Sequence, residues 1–157
     1  MKKQEQISKW LKGLCVLLAI MGLVFFSAST WFKWTMPEVY GSCNNKVAIG
    51  FTWIIAILCY AVLIEFWKVC SEIGNDNSFS LENAKSFHSM TIYGGIAMIS
   101  YIFRVAYFVI VHMDNKGPVV VAGACIALCV VFMIVCESMS QLIRNAYEMK
   151  ELNDLTI

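Results

Sequence analysis

A chain of 157 residues has the length of one domain, but apolar residues make up 59% of it and charged residues only 15%, where soluble domains carry about 45–50% and about 25%. That balance excludes an ordinary water-soluble domain, and a net charge of +1 gives no sign of a surface for direct nucleic-acid binding. Of seven cysteines, Cys15, Cys59, Cys70, Cys125, Cys129 and Cys136 lie in or beside apolar runs, which argues against a disulfide framework and for small apolar packing groups.

Four runs hold the apolar excess: 13–32 (GLCVLLAIMGLVFFSASTWF), 47–67 (VAIGFTWIIAILCYAVLIEFW), 90–111 (MTIYGGIAMISYIFRVAYFVIV) and 118–136 (PVVVAGACIALCVVFMIVC). Each is close to the roughly 20 residues a helix needs to cross about 30 Å of hydrocarbon. In lipid the backbone must satisfy its own hydrogen bonds, so such runs are helices. The predicted fold class is all-α: an integral membrane four-helix bundle in the lipid bilayer, with a cytoplasmic extension of the last helix.

The first run has a second reading. A lysine-bearing start, an apolar stretch and the small residues Ser27 to Ser29 resemble a signal peptide. Against cleavage stand the length of the run, its continuation into Trp31 and Phe32, and Glu5 ahead of it. After the first span, residues 33–46 carry Pro37 and Gly41 and no apolar period, so a short connection is expected.

The connection after the second span begins near Cys70 and holds the turn formers Gly74, Asn75, Asp76 and Asn77. Ser80 then stands at an N-cap position with Asn83 at the third helical position, a capping box with Asn in place of Glu or Gln. Glu82 in the first turn suits the helix dipole. The third helix is thus expected from about Leu81, ahead of its span, with Lys85, Ser86 and His88 on turns outside the bilayer.

The third and fourth spans are joined by HMDNKGP, where Gly117 can cap and Pro118 fits the first helical turn. No Pro or Gly stops the fourth helix after Glu137. Met139, Leu142, Ile143, Ala146, Met149 and Leu152 recur at spacings of three and four, an amphipathic stripe that predicts a helix projecting to about Asn153.

Four spans put both termini and the middle connection on one side. That side carries Lys2, Lys3, Lys9, Lys12, Lys68, Lys85, Arg144 and Lys150, against Lys33, Lys46 and Lys116 on the other. The positive-inside rule then places both termini in the cytoplasm of a multi-pass plasma-membrane protein. Trp10 and Trp67 fall at the inner interface, Trp31 and Trp34 at the outer one.

FSLENAKSF before an apolar span and AYEMKELNDLTI at the end of the chain resemble the small four-helix bacterial membrane proteins grouped as domain of unknown function 2975. The resemblance rests on Phe79-Ser80 with Asn83 and on the terminal Asp154-Leu155-Thr156-Ile157. It implies no activity and no catalytic residue. Members are often encoded beside a small helix-turn-helix regulator, which implies a DNA-binding protein as a cytoplasmic partner.

Three intramembrane polar residues stand out. Arg104 lies seven residues before Val111, roughly 10 Å at helical rise, a distance a guanidinium can snorkel toward Glu38 or Asp114. The functional alternative is an anion or substrate site opening outward. Glu65 and Glu137 sit near the inner ends of their spans, with Lys68 close to the first and Gln141 and Arg144 following the second. They read either as a solvated rim network or as a proton or cation site between the second and fourth helices. Cys125, Cys129 and Cys136 share a face without redox or zinc spacing, so no metal is expected. Gly123 and Ala127 permit close helix approach, within the chain or in a homo-oligomer. His88 reads as a solvated interfacial histidine, with pH sensing as its alternative. No phosphate loop, nucleophile elbow or zincin helix is present, and no cofactor is expected.

Two function classes remain. The first is a non-enzymatic signalling or regulatory protein that holds a cytoplasmic partner on Phe79, Ser80, Asn83, Leu142, Ala146, Met149 and Leu152. The second is a small oligomeric transporter or channel-like protein using Glu65 and Glu137.

Overall fold

The computed structural model describes residues 2–36, 42–75, 77–110 and 117–154, and all of its regular structure is helical: α1 (Lys2–Thr35), α2 (Ser42–Gly74), α3 (Leu81–Ile110) and α4 (Gly117–Asp154). Each is long and apolar enough to cross a membrane. At 34, 33, 30 and 38 residues, they run about 45–57 Å at 1.5 Å per residue, well beyond a hydrocarbon layer of about 30 Å. The excess must project from the bilayer. The chain is an all-α, multi-pass membrane bundle, and its exposed Leu17, Ile20, Leu23, Val24 and Phe25 form the kind of surface that lipid covers and water does not.

The helices pack in chain order, α1 on α2, α2 on α3 and α3 on α4, with no close backbone approach between α1 and α4 among the described residues. An apolar cleft of about 610 Å3 opens between those two, lined by Met21 and Phe25 of α1, Leu128 and Phe132 of α4, and Tyr93 and Gly94 of α3. Two ends of the bundle follow from the antiparallel pairing. The tail end holds the start of α1, the turn 75–80 and the last turns of α4. The hairpin end holds the end of α1, the start of α2, the end of α3 and the start of α4.

Polar bonds pin α1 to α2 along their whole length. Ser8 Oγ donates to the Cys70 carbonyl at 2.6 Å, Cys15 Sγ to that of Leu63 at 3.5 Å, and the Tyr60 hydroxyl to that of Ala19 at 2.8 Å. Gly74 makes the tail-end approach possible, since a Cβ there would lie 2.8 Å from Ser8 Oγ. Gly94 is the equivalent notch between α3 and α4. A Cβ there would meet Met133 Cγ at 3.0 Å and Phe132 Cδ1 at 3.2 Å. Of the two expected parts for the small pair, packing within the chain is not seen among the described residues, because Gly123 and Ala127 are exposed and a Cβ on Gly123 would have nothing within 4 Å. That pair faces away from the chain's own helices.

The firmest apolar core lies toward the tail end and not at mid-bilayer. Val69, Met90 and Cys136 are buried together, flanked by Val62, Phe66, Ile73 and Phe87. It fixes α2, α3 and α4 relative to one another where they emerge.

The described boundaries refine the expected ones. The predicted connection 33–46 is shorter, because α1 continues to Thr35 and α2 starts at Ser42. Lys33, counted among the flank charges, is buried. Residues Ser27 to Ser29 lie within an unbroken α1. Leu81 starts α3 as the capping pattern predicts, and α4 ends at Asp154, one residue past expectation. Pro37, Glu38, Gly41, Asp76, Asp114, Lys116, Leu155, Thr156 and Ile157 fall outside the described residues.

Candidate functional site

The tail end is assembled around the cap of α3. After α2 ends, the backbone N–H groups of Asn75 and Asn77 both donate to the Glu72 carbonyl at 3.1 Å, and Asn77 Nδ2 donates to Glu72 Oε2 at 2.9 Å. The chain then enters α3 through Ser80, whose Oγ accepts the Asn83 backbone N–H at 3.2 Å, satisfying one of the donors a helix start leaves free. Asn83 does not return the bond as a capping-box Glu would. Its Nδ2 donates to the carbonyls of Asn77 at 3.3 Å and Ser78 at 3.0 Å. A carboxylate has no proton for two carbonyls, which is the physical reason for Asn at this position.

Ser80 and Asn83 are therefore buried parts of the cap. Phe79 is different: it precedes the N-cap, where an apolar residue often staples back onto the fourth helical residue, yet it is 58% exposed. The cap holds a bare phenyl ring out of the turn.

Beside the cap, the end of α2 and the start of α3 enclose a polar pocket of about 500 Å3, lined by Glu65, Lys68, Glu72, Glu82, Asn83 and Lys85 among others. Lys68 Nζ is 2.8 Å from Glu65 Oε1, one turn along α2. The Asn83 side-chain oxygen is buried without a hydrogen-bond partner in this wall.

On the other flank of α3, α4 is fastened as it leaves the bilayer. Ser140 Oγ donates to the Ala84 carbonyl at 2.7 Å. His88 Nδ1 lies 3.0 Å from Glu137 Oε2. The hydrogen bond from His88 holds the Glu137 carboxyl below its ordinary value against a smaller opposing effect of desolvation, with the imidazole's charge, Gln141 and Thr91 acting in the same direction as that bond. Glu65 and Glu137 thus have separate basic partners on separate flanks of α3, and α2 makes no close backbone approach to α4 among the described residues. The solitary His88 expected from sequence is a partner of Glu137 instead. The signal was a His and a Glu at the same end of two antiparallel spans, but only helix rotation could show that they meet.

The amphipathic stripe of α4 divides in two. Ile143 turns inward with Cys136 and Ser140, all buried, and Ala146 is half-buried. Met139, Leu142, Met149 and Leu152 are exposed, the last three at 60–66%. Leu142 and Met149 lie seven residues apart, so they share one face.

Arg104 lies near the hairpin end, its guanidinium carbon 5.5 Å from the Phe108 ring and within electrostatic reach of Lys33. Its expected partners Glu38 and Asp114 are outside the described residues. The six described cysteines are free. Cys125 lies within hydrogen-bonding reach of the Tyr101 hydroxyl, and Cys136 belongs to the core. Among the described residues no group of His, Cys, Asp or Glu could hold a metal ion.

Searches of curated proteins and of solved structures found no match. A family described as "Protein of unknown function (DUF2975)" matches residues 2–157. The match takes in the α3 cap, all four helices and the α4 tail, and the chain belongs to this family.

Proposed function

We propose that the protein is a non-enzymatic, regulatory membrane protein whose tail end faces the cytoplasm and holds a protein partner there. The observation that carries this is the exposed apolar face of α4. Met139, Leu142, Met149 and Leu152 are exposed on a helix that outruns the bilayer, and exposed apolar side chains at helical spacing are what a partner's groove receives. Phe79 adds a rigid aromatic anchor from the neighbouring turn, of the kind that dominates binding energy at interfaces. The lysine and arginine excess at this end supports the plasma-membrane orientation. The partner implied by the family resemblance is a small helix-turn-helix DNA-binding protein. Pairing of Glu65 with Lys68 and of Glu137 with His88 favours a structural rim over a transport path.

The test is co-purification of the full chain with that regulator in mild detergent, compared with a chain truncated after Arg144 and with Leu142→Ser/Met149→Ser. Loss of the regulator from both variants, with the membrane bundle intact, supports the reading. Retention in both contradicts it.

A further inference from the structure

The polar pocket between the end of α2 and the start of α3 lies on the flank of α3 opposite α4, so docking on the α4 face leaves it unused. Its walls are two antiparallel helix ends that bear charges of both signs. Glu72 is in the last turn of α2 and Glu82 in the first turn of α3, so both carboxylates stand at the outer mouth. Lys68 lies one turn deeper along α2, and Lys85 with Ser86 one turn deeper along α3. Trp67 in the same wall marks the interfacial level. From the mouth inward, the pocket therefore runs from carboxylates to ammoniums.

Two of the wall residues are buried and incompletely bonded. Asn83 is 1% exposed, and its Nδ2 is turned to the Asn77 and Ser78 carbonyls. The oxygen, on the other arm of the planar amide, is directed away from that turn and has no hydrogen-bond partner. Ser86, one turn on and 7% exposed, lines the same pocket, and its hydroxyl makes no hydrogen bond among the described residues. Buried polar groups are rarely left so, because each has given up its bond to water without a replacement. The Glu82 carboxylate and the Lys85 ammonium form no ion pair among the described residues. The unused acceptor beside carboxylates calls for a cationic N–H donor at the mouth. The hydroxyl beside ammoniums calls for an anion one turn deeper.

We propose that this pocket binds an aminoethyl phosphate group, with its ammonium among Glu72, Glu82 and Asn83 and its phosphate against Lys68, Lys85 and Ser86. A primary ammonium carries enough N–H donors for both carboxylates and the amide oxygen, and Lys68, at 2.8 Å from Glu65, keeps donors to spare. The volume of about 500 Å3 is within the range of about 300–1,000 Å3 of small-ligand sites. Two sources share that chemistry: the headgroup of phosphatidylethanolamine in the adjoining leaflet, and free phosphoethanolamine. A headgroup reaching out of the bilayer sets its phosphate at the deeper level and its ammonium at the mouth, in the order of the pocket's own charges.

The experiment is thermal unfolding of the purified full chain in a phosphate-free neutral detergent. One arm compares phosphatidylethanolamine with phosphatidylcholine of the same acyl chains. The other compares soluble phosphoethanolamine with phosphocholine. Within each arm the two compounds differ only in the methyl groups that replace the N–H donors. At saturation the ethanolamine compound is expected to raise the midpoint by about 3–6 °C over its choline counterpart in at least one arm. A rise only in the lipid arm assigns the headgroup, and a rise only in the soluble arm assigns the free compound. Glu82→Gln, Lys85→Gln and Ser86→Ala leave the hydrogen bonds of the cap in place and should each lose at least half of the rise. Glu148→Gln, on the α4 tail, should keep all of it. Native mass spectrometry of wild type and Lys85→Gln, with both members of an arm present, reads the bound compound directly and does not depend on unfolding midpoints. Wild type is expected to retain the ethanolamine compound several-fold over the choline one. Equal rises for ethanolamine and choline compounds in both arms overturn the site, as does an undiminished rise in all three pocket variants.

Discussion

His88 Nδ1 sits 3.0 Å from the Glu137 carboxylate, and this pair joins α3 to α4 at the level where α4 leaves the bilayer. The hydrogen bond depresses the carboxyl below its ordinary value of 4.5. The folded state therefore binds this proton less tightly than the unfolded chain does. The stabilisation is present above pH 4.5 and is lost as pH falls through the lowered value. Both side chains are partly exposed, so the effect is small. Unfolding midpoints of wild type and Glu137→Gln should differ at pH 6 and converge as the buffer is taken below 4.5. A gap that widens on acidification would refute the assignment.

Asn83 is predicted to be the least replaceable residue of the cap. Asn83→Asp removes the donor that serves the Asn77 and Ser78 carbonyls and places a charge where the residue is 1% exposed. A loss of about 2–4 kcal/mol is expected. Ser80→Ala, which loses only the N-cap bond, should cost about 1 kcal/mol. Hydrogen exchange of the first α3 amides, read alongside thermal unfolding, measures both. Equal costs for the two substitutions would contradict the donor argument.

Two glycines at helix crossings give a paired test. Gly94→Val should cost about 1–3 kcal/mol by overpacking, since its nearest neighbours, Met133 and Phe132, are already at 3.0 and 3.2 Å from a bare Cβ. A Cβ on Gly123 has nothing within 4 Å among the described residues, so Gly123→Val should leave the monomer's midpoint nearly unchanged. Should Gly123→Val alone lower the apparent mass of the detergent complex, the small-residue face of α4 is a contact between copies.

Gly74 and Ser8 should prove coupled. Gly74→Ala brings a Cβ to 2.8 Å from Ser8 Oγ and disturbs the bond to the Cys70 carbonyl. Ser8→Ala removes the same bond from the other side. A double-mutant cycle in thermal unfolding should return a coupling of at least about 0.5 kcal/mol, and additivity would place the α1–α2 clasp elsewhere.

The sequence disclosed features governed by local rules. Unbroken apolar runs gave four helices, because lipid leaves the backbone no alternative. Ser80 with Asn83 gave the start of α3, because capping involves neighbours in the chain. Helix rotation was hidden, because hydrophobic periodicity vanishes when lipid and core are equally apolar. Hence Gly123 and Ala127 read equally as a packing pair within the chain or as a face between copies, while the notches within the chain are Gly74 and Gly94. The α4 stripe, beyond the bilayer, read as one face because spacings of three and four admit both Leu142 and Ile143, though Ile143 turns inward and Leu142 outward. Lys33 read as a flank charge because its position near a span end says nothing about the direction of its side chain. Contacts between distant residues, such as His88 with Glu137, needed the packed helices to become visible.

The most direct measurement is membrane-impermeant thiol labelling of Phe79→Cys and Met149→Cys, each in a Cys43→Ser background, in intact and permeabilised cells. An inner docking surface predicts that both positions are protected in intact cells and labelled after permeabilisation. Labelling of either from outside an intact cell would place that position on the wrong side of the membrane and remove the surface from any cytoplasmic partner.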